Sequence, residues 1–355
     1  MLEVGLVGCG RIAKRHAELL GLGQINGARL AAVCDLNAER LGLFTNEYDV
    51  PGYLEMEEMA DNGRVNLLSV LTPSGMHAEH VIRLARFGLP LVVEKPMALR
   101  LEDADAMLEA CDRYGSRLFV VKQNRFNLPV IKLREALDAG RFGRLVMGTA
   151  RVRWRRTQDY YDQDDWRGTW ALDGGVLANQ ASHHIDMLSW MLGEVDSVYA
   201  TGMTALADIE AEDTAAVILK FRNGALGIIE ATTATRPDNL EGSISLLGEG
   251  GTVVIGGFAV NEIQEWRFVD ALPSDEVVKR DYSVNPPDVY GFGHKAYYEH
   301  VVSCIESGCQ QLVDGLVGRR NIELLNAIYE SMASGREVRL RFRPVLSHLG
   351  KNQQP

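Results

Sequence analysis

The chain has 355 residues, of which 46% are hydrophobic, 24% charged and 7% aromatic. These fractions match an average folded protein and exclude long disordered, collagen-like or mucin-like regions. The 37 Lys and Arg against 48 Asp and Glu give a net charge of −11, which leaves no basic surface for nucleic acid or an anionic membrane. At roughly 150 residues per domain, the length predicts about two domains.

The five cysteines are odd in number and form no C-x-x-C pair, so neither a disulfide framework nor a structural zinc site is expected. The N-terminal stretch MLEVGLVGCG contains an acidic residue and several glycines, which is unlike a signal peptide. No run of about 18 apolar residues occurs anywhere in the chain. We therefore expect a cytoplasmic protein with reduced thiols.

Short apolar runs alternate with helix-like segments through residues 1–125, which predicts β-α-β units and a parallel sheet. The runs are Val4–Val7, Arg29–Val33, Leu67–Leu71, Leu89–Val93 and Leu118–Val121. Polar residues or glycines follow each run. Ligands of open α/β sheets bind beyond the carboxyl ends of the strands, so the five predicted strand ends indicate one ligand site.

From residue 126 the pattern changes to helices and strands joined by turn signals. Helices are predicted over Leu128–Ala139, over Val176–Leu192 and between Gly293 and Ser334. Strands are predicted at Leu145–Arg156, Ser197–Met203, Ala215–Phe221, Ala225–Thr233, Ser243–Leu247, Thr252–Ile255, Ile263–Phe268 and Glu337–Phe342. Asn223-Gly224 predicts a two-residue type I′ turn, and hence an antiparallel hairpin.

The predicted fold is therefore α/β, with an N-terminal Rossmann domain over residues 1–125. A second, α+β domain with an antiparallel sheet follows over residues 126–345. Residues 346–355 form a polar tail, of which we expect residues 351–355 to be frayed.

A glycine motif follows the first predicted strand. Gly8-x-Gly10-x-x-Ala13 opens a helix, and Asp35 ends the second strand. Glycines allow the backbone to approach a pyrophosphate at the helix N-terminus, and the carboxylate binds the adenosine ribose. Asp35 would repel a 2′-phosphate and Leu36 offers it no partner, so NAD is favoured over NADP. The alternative is a glycine-rich structural turn.

Two further residues are candidates for proton transfer. Lys95 ends a buried strand and precedes Pro96, so it either pairs with a group such as Glu94 or has a lowered pKa. The alternative for Lys95 is a structural salt bridge. His183 can take a hydroxyl proton as hydride leaves the same carbon.

The predicted helix over residues 176–192 separates its two histidines. Asn179, His183 and Asp186 share one face at helical spacing, whereas His184 lies on the apolar stripe. We therefore predict that His183 belongs to the site and that His184 belongs to the core.

His77 and His80 follow the third predicted strand end, Thr72-Pro73-Ser74-Gly75. Because no third ligand lies nearby, we interpret them as a cap on the nucleotide or a surface pair. The remaining histidines are expected to form no metal-binding cluster.

Arginines crowd the strand predicted at residues 145–156, and Tyr160 and Trp166-Arg167 follow it. Guanidinium groups bind pyrophosphate and carboxylate bidentately, so Arg156 and Arg167 are candidates for an anion pocket. For Arg151, Arg153 and Arg155 the alternative to an anion pocket is a solvated strand face or a subunit contact.

These motifs resemble those of one family of oxidoreductases. Gly8-Cys9-Gly10-Arg11-Ile12-Ala13, Glu94-Lys95-Pro96 and Gly174-Gly175 leading to His183-x-x-Asp186 resemble the glucose-fructose oxidoreductase, inositol dehydrogenase and MocA family, Gfo/Idh/MocA. Within that family the chain is similar, over nearly its whole length, to the bacterial UDP-N-acetyl-D-glucosaminuronate 3-dehydrogenases of surface-polysaccharide pathways. The stretches that carry this similarity are residues 72–75, 120–125, 160–162, 166–170, 179–183, 239–244 and 290–294.

The resemblance implies a large open antiparallel sheet, assembly through it into a homotetramer or homodimer, and a cis Lys95–Pro96 bond. It also implies that Lys95 and His183 flank the C3 hydroxyl of a UDP-sugar. The residues assigned to NAD are Gly8, Gly10, Arg11, Ile12, Asp35, Thr72, Pro73, Ser74, His77, Glu94, Lys95, Gln123, Trp166 and Arg167. Those assigned to the substrate are Lys95, Arg156, Tyr160, Asn179 and His183.

The leading hypothesis is NAD-dependent oxidation at C3 of a UDP-N-acetyl-hexuronic acid. Inositol dehydrogenases carry an aspartate where this chain has Asn179, and an amide cannot act as a base. A dehydrogenase of UDP-N-acetylglucosamine or of a free polyol such as inositol is the first alternative. A non-catalytic, NAD-binding regulatory module is the second.

Overall fold

The computed structural model describes residues 1–284, 286, 291–309, 311–340 and 347–350. The chain divides into two compact units, residues 1–122 with 294–322 and residues 123–293 with 323–355. The expected frayed tail at 351–355, Tyr290 and part of the last predicted strand lie outside the described residues. Among the helices that are described, none has the length and apolar character to span a bilayer.

The first unit contains the predicted parallel sheet. Its strands are β1 (Leu2–Val7), β2 (Ala28–Cys34), β3 (Gly52–Tyr53), β4 (Leu67–Val70), β5 (Leu91–Val93) and β6 (Leu118–Val120). The helices between them are α1 (Arg11–Gly21), α2 (Ala38–Tyr48), α3 (Met56–Asp61), α4 (His77–Ala85) and α5 (Leu101–Tyr114). All five predicted strands form, with small shifts at their ends, whereas β3 has only two residues and no apolar run to predict it.

The strand order of this sheet is β3-β2-β1-β4-β5-β6, and every neighbouring pair is parallel. The order reverses between β1 and β4, which makes this a doubly wound sheet. Strands β4 and β5 are buried at every residue because helices cover both faces. A crevice at the carboxyl ends of β1 and β4 is where such a sheet binds its ligand.

The second unit is built on a mixed sheet. Its strands are β7 (Leu145–Arg153), β8 (Val195–Met203), β9 (Thr214–Phe221), β10 (Leu226–Thr232), β11 (Glu241–Gly248), β12 (Gly251–Gly256), β13 (Glu262–Phe268) and β14 (Val338–Arg339). Its helices are α6 (Leu128–Asp138), α7 (Gln158–Tyr161), α8 (Ser182–Leu192) and α9 (Asp275–Asp281). Helices α10 (Gly293–Ser307) and α11 (Gly315–Ser334) contain unit boundaries.

The described strands of this sheet follow the order β13-β12-β11-β7-β10-β9-β8-β14. All neighbours are antiparallel except β7 and β10, which pair in parallel from Leu226 opposite Met147 to Thr232 opposite Arg153. The sheet is therefore mostly antiparallel. The predicted antiparallel sheet is confirmed; the one parallel pair among the described strands had no signal, because hairpin signals report only on strands that are consecutive in sequence.

The hairpin between β9 and β10 forms, but its predicted turn type is wrong. Gly224 has a φ of 88°, whereas Asn223 has no positive φ, which a type I′ turn requires at both positions. The Phe221 amide donates to the Ala225 carbonyl at 2.9 Å and closes a three-residue loop. The Asn223 side chain instead donates to the Leu192 carbonyl.

Helix α8 begins at Ser182, six residues later than predicted. Residues 176–181 form turns, because the Val176 and Leu177 amides donate to the backbone carbonyl and the carboxyl of Glu212 rather than within a helix. Asn179 is therefore not on a helical face with His183, and that expectation is wrong.

Glu212 is a buried carboxyl that fastens this turn segment. Its Oε1 accepts hydrogen bonds from the Leu177 amide and the Tyr329 hydroxyl, both at 2.9 Å. The Gly175 amide donates to the same hydroxyl at 3.2 Å. Burial raises the pKa of Glu212 from 4.5 to about 7. The segment before α8 is therefore held by a group that gains or loses a proton near neutral pH.

A buried ion pair fastens the other side of α8. The Arg125 guanidinium, in a short 3-10 helix at residues 123–126, donates to both oxygens of Asp186 at 2.8 and 2.7 Å. Arg125 is 4% exposed and Asp186 is 1% exposed. The guanidinium carbon also lies 4.7 Å from the centre of the Trp190 ring. Since Asp186 follows His183 by one helical turn, the pair fixes the start of α8 against residues 123–126.

Removing the charge of Asp186 tests this ion pair. Asp186→Asn leaves the Arg125 charge buried, and we expect the free energy of unfolding to fall by about 3–5 kcal/mol. The matched control is Asp138→Asn, which breaks the more exposed pair of Asp138 with Arg134 and costs at most about 1 kcal/mol. Urea unfolding of both variants measures the difference; equal losses would contradict the assignment.

The raised pKa of Glu212 predicts how stability depends on pH. The folded protein keeps a proton that the unfolded chain releases near pH 4.5, so this stabilisation is complete below that pH and is lost as pH rises through about 7. Relative to Glu212→Gln, the wild type should lose about 2 kcal/mol of unfolding free energy between about pH 5 and 8. Urea unfolding across this range measures the slope. The exposed Glu194→Gln control should keep the wild-type slope, and a wild-type slope in Glu212→Gln would refute the prediction.

Candidate active site

The glycine turn after β1 has the backbone geometry expected of a nucleotide-binding turn. Gly8 has a φ of 102°, and a side chain there would come within 3.0 Å of the Leu71 carbonyl at the end of β4. The Gly8 amide donates to the Cys34 carbonyl at 2.8 Å. Among the described atoms, none lies within 4 Å of a Cβ added at Gly10, so the space there is open. The turn therefore packs on the ends of β2 and β4 and leaves room beside Gly10.

Asp35 lies beside this turn, as predicted. Its Oδ2 accepts a hydrogen bond from the Cys9 amide at 2.7 Å, and its Oδ1 accepts one from the Asn37 amide at 2.8 Å. Helix α1 starts at Arg11 with its positive dipole end at the turn, where an anion is stabilised. An open glycine turn, a helix N-terminus and an adjacent carboxylate fit the pyrophosphate and ribose of NAD.

The histidines after β4 hold two turns together. Thr72 Oγ1 lies 2.9 Å from His80 Nδ1. His77 Nε2 lies 2.8 Å from the Thr72 carbonyl, and its Nδ1 lies 2.8 Å from the Pro96 carbonyl. Burial lowers the pKa of His77, against the opposing effect of its contacts with the two carbonyls. His77 thus joins the turn after β4 to the turn that contains Lys95.

The turn after β5 contains the cis Lys95–Pro96 bond that the resemblance implied. Glu94 is buried, and its Oε2 accepts a hydrogen bond from the Lys95 amide at 2.9 Å. Burial alone would raise the pKa of Glu94, but the hydrogen bond and charge of His16 lower it to about 2. An ionised carboxylate therefore adjoins the half-buried Lys95.

His16 connects this carboxylate to a buried network that the sequence did not predict. Its Nε2 lies 3.1 Å from Glu94 Oε1 and its Nδ1 lies 2.6 Å from the Tyr298 hydroxyl. His294 joins them, with its Nε2 4.0 Å from the same carboxylate oxygen. Ligand atoms of His16, Glu94 and His294 lie within 4.8 Å of one another. Residues far apart in sequence therefore meet in this cluster, which no local pattern predicts.

In the second unit, Gln123 contacts the histidine that was predicted to do chemistry. Its amide Nε2 lies 3.0 Å from His183 Nε2, and both residues are buried. Because an amide nitrogen only donates, the imidazole Nε2 accepts, and the proton of a neutral ring lies on Nδ1. Gln123 Oε1 is buried without a hydrogen-bond partner among the described residues, which suits a ligand hydroxyl.

The other histidine of α8 belongs to the core, as its periodicity predicted. His184 is completely buried, and its ring packs edge-on against Trp154 with 5.8 Å between centres. Burial lowers the pKa of His184 to about 3, so the ring stays neutral.

Asn179 lies in the turn segment before α8. Its side-chain amide donates to Asp173 Oδ1 at 2.6 Å, and Asp173 Oδ2 accepts a hydrogen bond from the Gly168 amide at 2.8 Å. Asp173 thus links the segment of Trp166 and Arg167 to that of Asn179. The sequence analysis predicted no role for Asp173. Its position directly before Gly174-Gly175 was the available signal.

Four predicted site residues meet in one stack of rings and guanidinium groups. The Arg156 guanidinium carbon lies 5.4 Å from the Trp154 ring centre and 5.2 Å from that of Tyr160. The Arg167 guanidinium carbon lies 4.8 Å from the Tyr160 centre and 4.5 Å from that of Trp166. Arg167 also donates to the Tyr160 hydroxyl at 3.0 Å. The stack fixes the planes of both guanidinium groups.

The arginines of β7 are already paired with acids. Arg153 donates to both carboxylate oxygens of Glu230 at 2.6 and 2.7 Å and contacts Glu241 at 3.3 Å. Arg151 lies 3.7 Å from each of the same two carboxylates. Because Arg151 and Arg153 already contact carboxylates, they fit a strand face better than an anion pocket.

Two solved structures resemble this chain along most of its length. The WlbA dehydrogenase from Bordetella pertussis, solved with NADH and UDP-GlcNAcA, is 43% identical with a TM-score of 0.88, over 96% of this chain and 99% of that one. The WlbA dehydrogenase from Chromobacterium violaceum, solved with the same ligands, is 42% identical with a TM-score of 0.89, over 96% of both chains. Myo-inositol 2-dehydrogenase from Thermotoga maritima is 31% identical over 64% of this chain and 68% of its own.

Family models match both parts of the sequence. Residues 2–122 match the NAD-binding Rossmann fold of an oxidoreductase family, and residues 134–340 match the C-terminal alpha/beta domain of the same family. The chain therefore belongs to the Gfo/Idh/MocA family of oxidoreductases.

Proposed function

We propose that the chain is an NAD-dependent dehydrogenase that oxidises the C3 hydroxyl of a UDP-N-acetyl-hexuronic acid, UDP-GlcNAcA, to the 3-keto sugar. The observation that carries the proposal is the near-full-length similarity to two WlbA dehydrogenases solved with NADH and UDP-GlcNAcA. The chain also has both proton-transfer candidates, Lys95 and His183.

NAD supplies the acceptor for the hydride that leaves C3. In this proposal the glycine turn and α1 hold its pyrophosphate, Asp35 holds the adenosine ribose, and the turns after β4 and β5 carry further contacts. The proposed contacts are Gly8, Gly10, Arg11, Ile12, Asp35, Thr72, Pro73, Ser74, His77, Glu94, Lys95, Gln123, Trp166 and Arg167. His77 and Glu94 contribute mainly by holding the turns around Lys95, since their polar atoms bond to the chain itself.

Lys95 and His183 handle the hydroxyl proton, one of them removing it as hydride leaves. Gln123 and the Arg125–Asp186 pair fix the position of the His183 ring and of its helix. The ionised Glu94 carboxylate accepts a hydrogen bond from the Lys95 amide and so holds the lysine in place for either role.

The substrate is a dianionic diphosphate with a further carboxylate, so it requires local positive charge on a protein of net charge −11. Arg156 is the proposed cation, and its guanidinium plane is set by stacking on Trp154 and Tyr160. Asn179, held by Asp173, positions a sugar hydroxyl and does not remove its proton.

The rival substrate is a free polyol, which the similarity to the Thermotoga maritima myo-inositol 2-dehydrogenase favours. This chain has Asn179 where inositol dehydrogenases have an aspartate, and this weakens the polyol assignment because an amide is not a base. A sugar nucleotide without the C6 carboxylate remains the alternative within the same chemistry.

We place the enzyme in the cytoplasm, in O-antigen or lipopolysaccharide synthesis, where an aminotransferase consumes the 3-keto product. Assembly into a homotetramer or homodimer is supported by the outer face of the mixed sheet. Tyr199, Ile218 and Ile228 are 45%, 51% and 37% exposed and lie side by side on β8, β9 and β10. An apolar sheet face of this kind suits a subunit contact.

The substrate is tested by NADH formation with the purified protein. We expect absorbance at the NADH band to rise with UDP-GlcNAcA and NAD, and much less with UDP-N-acetylglucosamine, with inositol or with NADP. Turnover of inositol alone would overturn the proposal.

The proton-transfer roles are tested by substitution. Lys95→Ala and His183→Asn should each lower kcat by at least about 10²-fold while NAD still binds, because general acid–base catalysis contributes that much. Steady-state kinetics measures kcat, and the quenching of the protein's tryptophan fluorescence by added NAD measures NAD binding. The exposed Lys279→Ala variant is the control, and unchanged turnover in either site variant removes that residue from the mechanism.

A further inference from the structure

Two cysteines of the first unit lie against each other, away from the strand ends that carry the proposed site. Cys304, in the last turn of α10, has its Sγ 2.6 Å from the Sγ of Cys309. Both are in the reduced thiol form. Since a disulfide bond is about 2.05 Å long, the two sulfurs need to move only a little to form one.

The two thiols differ in exposure and acidity. Cys309 is exposed, and hydrogen bonds from Cys304 and Ser307 with the charge of Arg117 lower its pKa. Cys304 is completely buried, and burial raises its pKa to about 12. A thiolate is the reactive form, so Cys309 is the thiol that meets a reagent from solution.

A histidine adjoins the buried thiol. His300 Nε2 lies 3.5 Å from Cys304 Sγ and accepts a hydrogen bond from the Leu312 amide at 3.0 Å. Burial lowers the pKa of His300, so a neutral ring packs beside the Cys304 thiol. Arg117 donates to the carbonyls of both Cys304 and Cys309 and holds the loop between them.

The remaining three cysteines lack these features. Cys9, Cys34 and Cys111 are buried, and burial raises their pKa values to about 12, 12 and 11. They are thiols at any physiological pH and have no access to solvent reagents.

We propose that Cys309 and Cys304 are a peroxide-reactive thiol pair that forms a reversible intrachain disulfide. The Cys309 thiolate attacks hydrogen peroxide, breaks its O–O bond and becomes a sulfenic acid, and the released hydroxide takes a proton to give water. Cys304 then attacks the sulfenic sulfur, forms the S–S bond and releases its thiol proton. The S–O bond breaks, the proton passes to the leaving hydroxide, and a second water forms. The two thiols lose two electrons together, and hydrogen peroxide gains them.

The cross-link joins the end of α10 to the segment before α11 within the first unit. That segment reaches Asp314, which bridges to Phe119 of β6. The disulfide therefore closes a short loop beside the sheet and does not change the glycine turn or Lys95. The proposal is independent of the substrate assignment.

The test treats the folded full-length protein with hydrogen peroxide, denatures it and then blocks the remaining thiols with iodoacetamide. We expect three of the five cysteines to be alkylated, and cleavage after Glu306 should leave fragments joined until a dithiol reductant is added. Cys309→Ser should show no such cross-link, whereas the matched Cys111→Ser control should form it as the wild type does.

A second variant keeps the test decisive if the disulfide is too short-lived to isolate. Cys304→Ser lacks the second thiol, so the Cys309 sulfenic acid should persist and react with dimedone. Full alkylation of both cysteines in the peroxide-treated wild type, or dimedone labelling at a different cysteine, would overturn the proposal.

Discussion

The buried pair of Arg125 and Asp186 is the constraint on which the second unit's part of the site depends. It links the short helix of residues 123–126 to α8, and so sets the Gln123 amide against the His183 ring. An arginine that is 4% exposed is stable only because both carboxylate oxygens and the Trp190 ring meet it. The same contacts fix α8, so the fold sets the position of the His183 ring.

The first unit follows a related principle. Its polar groups form hydrogen bonds with one another where the strands end. Asp35 holds the glycine turn, His77 links the turns after β4 and β5, and Glu94 connects Lys95 to His16. Pre-organisation of this kind reduces the entropy lost when a cofactor binds.

Much of the fold could be predicted from the sequence, because buried parallel strands read as short apolar runs and each ends in a recognisable turn. The core role of His184 followed from helical periodicity. Periodicity failed for Asn179, since Glu212 competes for the backbone amides of residues 176 and 177 from 35 residues away. A contact between residues so far apart in sequence leaves no pattern in either local segment.

The same reason explains what was missed at the site. The cluster of His16, Glu94 and His294 and the parallel pairing of β7 with β10 both join residues distant in sequence. The arginines could not be assigned from the sequence for a different reason. Composition does not distinguish a guanidinium that stacks on Tyr160 from one that forms an ion pair with Glu230. Only the neighbouring chain segments decide between an anion pocket and a strand face.

The central claim is that hydride leaves C3 of a UDP-sugar for the nicotinamide. The most direct measurement uses UDP-GlcNAcA carrying deuterium at C3, with mass spectrometry of the reduced cofactor after turnover. The account predicts one deuterium in each NADH formed and a 3-keto product without it. NADH that carries no deuterium would contradict the account.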